Sequence, residues 1–178
     1  MEDYIIGLIW ATGSVCGESL IVRNKDFRVI SLVAKYIGRS CRDGQRKIKI
    51  AMTHPLVARL SAVGWRGRMD TDRGVPHGDI EMLLWAAGYC SVRAHVDASG
   101  KRLRIRGSLN IVTSLTNDIL PELGLYPKKP TICLTNEGQT WEIYYQSAKE
   151  IKRFLGWQHD VQYRLSCNLG KHNHVTMP

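Results

Sequence analysis

Hydrophobic residues fill Ile5-Ile6-Gly7-Leu8-Ile9-Trp10-Ala11 almost without interruption, and Thr12-Gly13 closes the run. This predicts a helix over Tyr4 to Ala11, capped by Asp3 and stopped by Gly13. Being apolar on every side, it belongs at the centre of a fold. Gly7 and Ala11, four apart, leave a strip without bulk along which another backbone can approach. A second run, Ile80-Glu81-Met82-Leu83-Leu84-Trp85-Ala86-Ala87-Gly88, has the same character, and Trp85 follows Trp10 by 75 positions. Such self-similarity predicts a pseudo-twofold body. A shift of 75 sets Met82 opposite Gly7, which argues against close approach at that point.

Between and after these runs the pattern alternates. Ser14 to Cys16 reads as extended, Gly17-Glu18 as a turn and Ser19 to Arg23 as a strand. Asn24 or Asp26 caps a helix from Phe27 to Ile37, placing Lys25 at a strand-to-helix corner. Arg39 to Arg42 and Arg46 to Ile50 flank Asp43-Gly44 as a predicted hairpin. In its second strand Ile48 and Ile50 alternate with Lys47 and Lys49, so one face is apolar and the other basic. A helix from about Pro55 to Val63 ends at Gly64-Trp65. Residues 66–76, broken by glycine and proline, read as a linker.

The second half follows suit. Ser91 to Val96 and Lys101 to Arg106 flank Asp97-Ala98-Ser99-Gly100, with Leu103 and Ile105 alternating with Arg102, Arg104 and Arg106. A helix over about Leu109 to Leu120 stops at Pro121 and Gly124. Thr131 to Thr135 and Thr140 to Tyr145 form a hairpin, and a last helix, about Ala148 to Leu155, ends at Gly156-Trp157. The expected organisation is one compact body: a first repeat over 1–65, the linker over 66–76, a second repeat over 77–157 and a tail over 158–178.

Charge turns this frame toward a class of partner. Twenty-five Lys+Arg against 16 Asp+Glu give a formal net charge of +9, and such a surface collects phosphates. The five cysteines are odd in number, scattered and without a CxxC pair, which argues against a disulfide framework or a zinc ribbon. The N-terminal apolar run is far shorter than the roughly 20 residues needed to span a bilayer and has no basic flank. These features predict an intracellular protein in a reducing compartment, with no membrane partner.

The order helix, two strands, helix, two strands, helix in each half, with basic strand faces in both, resembles the single-chain LAGLIDADG homing endonucleases over about residues 3–157. The resemblance implies an α+β fold of two αββαββα repeats, with the signature helices paired on the pseudo-twofold axis and two antiparallel sheets forming a saddle over the DNA major groove. It further implies that each signature helix ends in an acidic residue just before its final glycine, the two acids holding divalent metal such as Mg2+ at the scissile phosphates. Here the matching positions are Thr12 and Ala87, and neither is acidic. Hard cations take charged oxygen ligands, so no intact catalytic or metal site is expected. An active nuclease would have to use unusual ligands such as Glu18 or Asp79. Lys25 matches a basic residue that relatives carry beside the catalytic centre, and Gly107-Ser108 stand at the equivalent corner of the second half.

The candidate nucleic-acid-binding residues are therefore Arg23, Lys25, Lys47, Lys49, Arg93, Arg102, Arg104 and Arg106, since Lys and Arg neutralise phosphates and Arg can read guanine edges. Trp10, Trp85, Trp65 and Trp157 are expected as core or edge packing. His159, Cys167, His172 and His174 in the tail have no ordinary zinc spacing, and the tail is expected to be a loose basic extension. The predicted function is binding without cleavage by a monomer with internal symmetry. Its partner is double-stranded DNA or structured RNA, the latter as a maturase-like or ribosome-associated component.

Overall fold

Two helices that lie side by side and parallel form the axis of the molecule. The computed structural model describes residues 1–135 and 138–171; the predicted tail positions His172 and His174 lie outside them. Helix α1 spans Glu2–Thr12 and α4 spans Met82–Arg93. The Asp3 carboxylate accepts a hydrogen bond from the Glu81 backbone N–H (3.2 Å) at one end, while Arg93 donates to the Ala11 carbonyl at the other. Asp3 is thus not the cap of its own helix, which starts at Glu2 without a side-chain cap; it ties the two helix starts together.

Glycine sets the distance between the helices. A Cβ on Gly7 would collide with the Trp85 carbonyl and one on Gly88 with the Tyr4 carbonyl. Each collision is the mirror of the other, so the repeat superposes at a shift of 81 positions, pairing Gly7 with Gly88, and the shift of 75 read from the tryptophans is corrected. Gly88 does not end its helix, which continues through Arg93. A buried helical glycine costs about 1 kcal/mol against alanine, and the close backbone contact compensates. Met82 therefore stands at the start of α4 rather than opposite Gly7. Trp10 and Trp85, 1% and 0% exposed, meet edge to face with centroids 5.9 Å apart, and Trp85 stacks on Tyr89. Trp65 is also buried, as packing predicts.

A sheet springs directly from the C-terminal end of each helix. β1 (Gly13–Cys16), β2 (Ser19–Arg23) and β3 (Lys47–Ala51) form an antiparallel sheet in that order. It has three strands, because the predicted strand over residues 39–42 does not form. That segment has no apolar alternation to bury, and it is held by loop bonds such as Arg39 to the Lys49 carbonyl and Gln45 to the Lys47 carbonyl. α2 (Phe27–Tyr36), capped by Asp26, and α3 (Pro55–Ala62), capped by His54, complete the first half.

In the second half β4 (Ala94–Val96), β5 (Leu103–Gly107), β6 (Thr131–Thr135) and β7 (Gly138–Tyr145) pair antiparallel in the order β4-β5-β7-β6. Residues 91–93, expected as strand, are the last turn of α4. α5 (Leu109–Ser114) runs on through a wide π turn to Ile119 and a tight turn to Leu123, stopped by Gly124 in the left-handed region. Among the described residues the core gathers α1, α4 and the inward faces of both sheets.

The last helix differs most from expectation. α6 runs from Ala148 to Lys171 straight through Gly156, so the predicted stop at Gly156-Trp157 is corrected. Phe154, Gln158, Val161 and Leu165 recur at helical spacing and are buried, and that stripe outweighs one exposed glycine. Much of the expected loose tail is therefore helix: His159 and Cys167 lie on its exposed side, and Gln158 Nε2 donates to the Ala87 carbonyl (3.2 Å).

Candidate nucleic-acid interface

The outward faces of both sheets are basic. In the first sheet Lys47 and Lys49 are exposed while Ile48 and Ile50 are buried, as the alternation predicts. Arg23 lies directly across from Lys47, a like-charged pair that costs stability unless an anion neutralises it. In the second sheet the outward positions are His95, Arg104 and Tyr144 in one cross-strand row and Arg106 with Glu142 in the next. Arg102 lies over the Tyr144 ring, 5.7 Å from its centroid. Lys25 is exposed in the β2–α2 turn and lines neither cavity described below.

Those ends carry the chemistry. The C-terminus of a helix presents unpaired carbonyls and about half a negative charge, and two parallel helices double that field. The final residues at the shift of 81 are Thr12 and Arg93. Ala87, taken from the sequence as the second acid position, lies more than a turn before the end of α4, fully buried. Thr12 donates its hydroxyl back to the Leu8 carbonyl at 2.6 Å. Arg93 donates Nε and Nη2 to the Ala11 carbonyl at 3.1 and 2.7 Å. A guanidinium thus occupies the place where the sequence resemblance implied a carboxylate.

A second guanidinium stands behind it. Arg73, 6% exposed, donates to the Trp10 carbonyl at 2.6 Å. It comes from the segment read as a linker, which is stitched across the helix ends: Trp10 Nε1 donates to the Gly74 carbonyl, Arg68 N–H to the Gly13 carbonyl, Ser108 to the Arg73 carbonyl and Asn110 to the Asp72 carbonyl. Burial lowers the Arg73 pKa, and the neighbouring Arg93 and Arg68 charges push the same way, against the Tyr89 hydroxyl. Burial in turn raises the Tyr89 phenol, whose O–H donates to the Arg106 carbonyl. No sequence signal marked Arg73, because an arginine in a charged segment broken by glycine and proline reads as solvated.

Two cavities open here. One, of about 720 Å3, is lined by Arg68, Asp70, Arg73, Arg93, Arg106 and Ser108 among others. The other, of about 250 Å3, is lined by Val92, Arg93, Ala94, His95, Arg104 and Arg106. Arg93 and Arg106 border both.

This donor set does not fit a divalent cation. Guanidinium groups repel one, the single threonine oxygen is turned into its own helix, and among the described residues no group of three His, Cys, Asp or Glu side chains is placed to hold a metal ion. Glu18 is exposed in the β1–β2 turn. Asp79 lies near the start of α4, where its carbonyl accepts from Arg59, at the far end of the helix pair.

Among the described residues Glu142 is the one buried carboxylate on the basic face, 2.9 Å from Arg106. Burial raises its pKa, but the hydrogen bonds from Arg106 and Tyr144 and the Arg106 charge prevail and hold it below the ordinary value. A lowered folded-state pKa gives stability that is present above the unfolded value and lost as pH falls through the folded one. Thermal melts from pH 7 to pH 3 are expected to show a loss beginning below about pH 4.5, and Glu142→Gln is expected to flatten that part of the profile; an identical acid limb in the variant would refute it.

No protein-family model and no curated protein sequence matches this chain. Solved structures do. The N-terminal LAGLIDADG domain of DUF199/WhiA aligns with TM-score 0.50 and 13% identity, covering 90% of this chain and 82% of that one. The I-LtrWI LAGLIDADG homing endonuclease bound to target DNA gives 0.51 and 13%, covering 90% and 83%. Full-length DUF199/WhiA from Thermatoga maritima gives 0.51 and 13%, covering 100% of this chain and 63% of that one. The glycine-packed parallel helix pair, the sheet springing from each helix end and these alignments together show that the chain has the LAGLIDADG homing-endonuclease-like fold.

Proposed function

We propose that the protein binds double-stranded DNA along the outward faces of its two sheets and does not cut it. The observation that carries this reading is the arginine pair at the α1 and α4 ends: Arg93 and Arg73 cap the helix carbonyls, an arrangement that attracts phosphate and rejects the metal. One chain supplies both halves, so a monomer presents the whole surface. B-form DNA, with a major groove about 12 Å wide, admits strand pairs, whereas the A-form major groove is too deep and narrow for side chains to read; duplex DNA is therefore the preferred partner over structured RNA.

The test is titration of duplex DNA and duplex RNA across a salt series, followed by incubation of the selected DNA with Mg2+ or Mn2+. Each phosphate contact contributes about 0.9 to the slope of log affinity against log salt. Replacing Arg23, Lys47 and Lys49 together by glutamine is expected to lower that slope by roughly 2–3 units. Salt-independent binding would refute the interface. Tighter binding of RNA would move the reading to RNA, and double-strand cuts at substoichiometric protein would refute the non-cleaving role.

A further inference from the structure

The smaller cavity at the end of α4 has a lining unlike the rest of the basic face: three arginines and a histidine, with no carboxylate. Its three guanidiniums come from different elements. Arg93 is fixed by the Ala11 carbonyl, Arg106 by Glu142 through Nε, and the Arg104 side chain has no hydrogen-bond or ion-pair partner among the described residues. Each fork has five N–H donors, so Arg93 and Arg106 are held in place with their remaining donors unspent, and Arg104 has all of its own. Like charges are brought together here, and Glu142 on Arg106 and the Ala11 carbonyl on Arg93 offset only part of the cost. Buried behind them, Arg73 adds to the same field.

The arrangement belongs to one half only. The β1–β2 pair Ser14 and Ile21 corresponds by register to His95 and Arg104 in β4 and β5, and Thr12 corresponds to Arg93. Arg106 itself corresponds to Arg23, so the first half keeps one of the three arginines but has a serine, an isoleucine and a threonine at the places of His95, Arg104 and Arg93.

We propose that this cavity seats one phosphodiester of the bound strand, its oxyanion held directly on the Arg93, Arg104 and Arg106 guanidiniums with no divalent cation between them. The inference rests on the DNA-binding reading and sharpens it: the contact lies off the pseudo-twofold axis, so the two half-sites are gripped unequally. Charge-assisted bonds to a phosphate are the strongest kind available to these side chains.

The experiment uses the full chain in EDTA with inorganic phosphate as one probe and a DNA duplex as the other. At about ten times its dissociation constant, phosphate is expected to raise the melting temperature by about 3–6 °C. Arg104→Gln, which removes a side chain with no structural partner, is expected to weaken phosphate at least about tenfold and to lower the duplex salt slope by about 0.9. Glu142→Gln, which frees Arg106, is expected to tighten phosphate. Unchanged phosphate affinity in Arg104→Gln, or stabilisation only when Mg2+ is supplied, would overturn the seat. Duplex binding that persists without any phosphate shift overturns the seat and leaves the DNA reading standing; a phosphate shift without duplex binding does the reverse.

Discussion

Gly88→Ala is expected to lower the melting temperature by roughly 6–12 °C, and Gly7→Ala by a similar amount. The added Cβ meets backbone in both cases, the Tyr4 carbonyl from Gly88 and the Trp85 carbonyl from Gly7. Backbone cannot move aside as a side-chain tip can, so relief requires the two axial helices to separate, disturbing the Trp10–Trp85–Tyr89 cluster between them. Overpacking of this kind costs on the order of 3 kcal/mol, and in a chain of this size 1 kcal/mol shifts the midpoint by about 2–4 °C. Gly156→Ala supplies the contrast. Gly156 is exposed inside α6 with open space around its Cβ direction, so alanine there should raise the midpoint by about 2–4 °C through helix propensity. Equal melting temperatures for Gly88→Ala and the unmodified chain would contradict the packing described here.

The same glycines explain what could be read from the sequence and what could not. The repeat, the helix at the axis and the basic alternation of Lys47-Ile48-Lys49-Ile50 are local patterns, and they survive into the structure because period and burial act residue by residue. The phase of the repeat is different in kind. A helix apolar on all sides has no amphipathic face to fix its rotation, so Trp10 and Trp85 suggested one alignment while backbone contact at Gly7 and Gly88 imposes another. That six-residue error carried Ala87 into the site and hid Arg93 as a strand residue. A usable signal was present: after Gly88 the chain continues Tyr89-Cys90-Ser91-Val92-Arg93 with no glycine or proline, and a glycine inside an unbroken run need not be a stop. For Arg73 no comparable signal exists. Its place is fixed by Trp10, Gly13, Ser108 and Asn110, partners remote in sequence. The extension of α6 was legible in the Phe154, Gln158, Val161, Leu165 spacing once Gly156 was not taken as an end.

Arg93→Asp is expected to lower the melting temperature by roughly 6–12 °C in low salt, with Arg93→Lys falling between it and the unmodified chain. The aspartate loses both hydrogen bonds to the Ala11 carbonyl, worth about 1.5–3 kcal/mol when the donor is charged. It also sets a negative charge against the negative ends of two helices, a further cost of about 0.3–1 kcal/mol for each. Together these come to roughly 3 kcal/mol, which gives the stated shift in a protein of this length. Lysine keeps the charge but not the fork that reaches one carbonyl through two nitrogens. The dipole part is screened, so raising salt from about 0.01 to about 1 M, where the Debye length shrinks from about 30 to about 3 Å, should recover part of the loss in Arg93→Asp and little in Arg93→Lys. Millimolar Mg2+ should leave the unmodified chain's melting temperature where it was, because the helix ends offer cations and no pair of carboxylates. A protein that melts unchanged with aspartate at this position, or that Mg2+ stabilises in its native form, would contradict a helix end held by the Arg93 guanidinium.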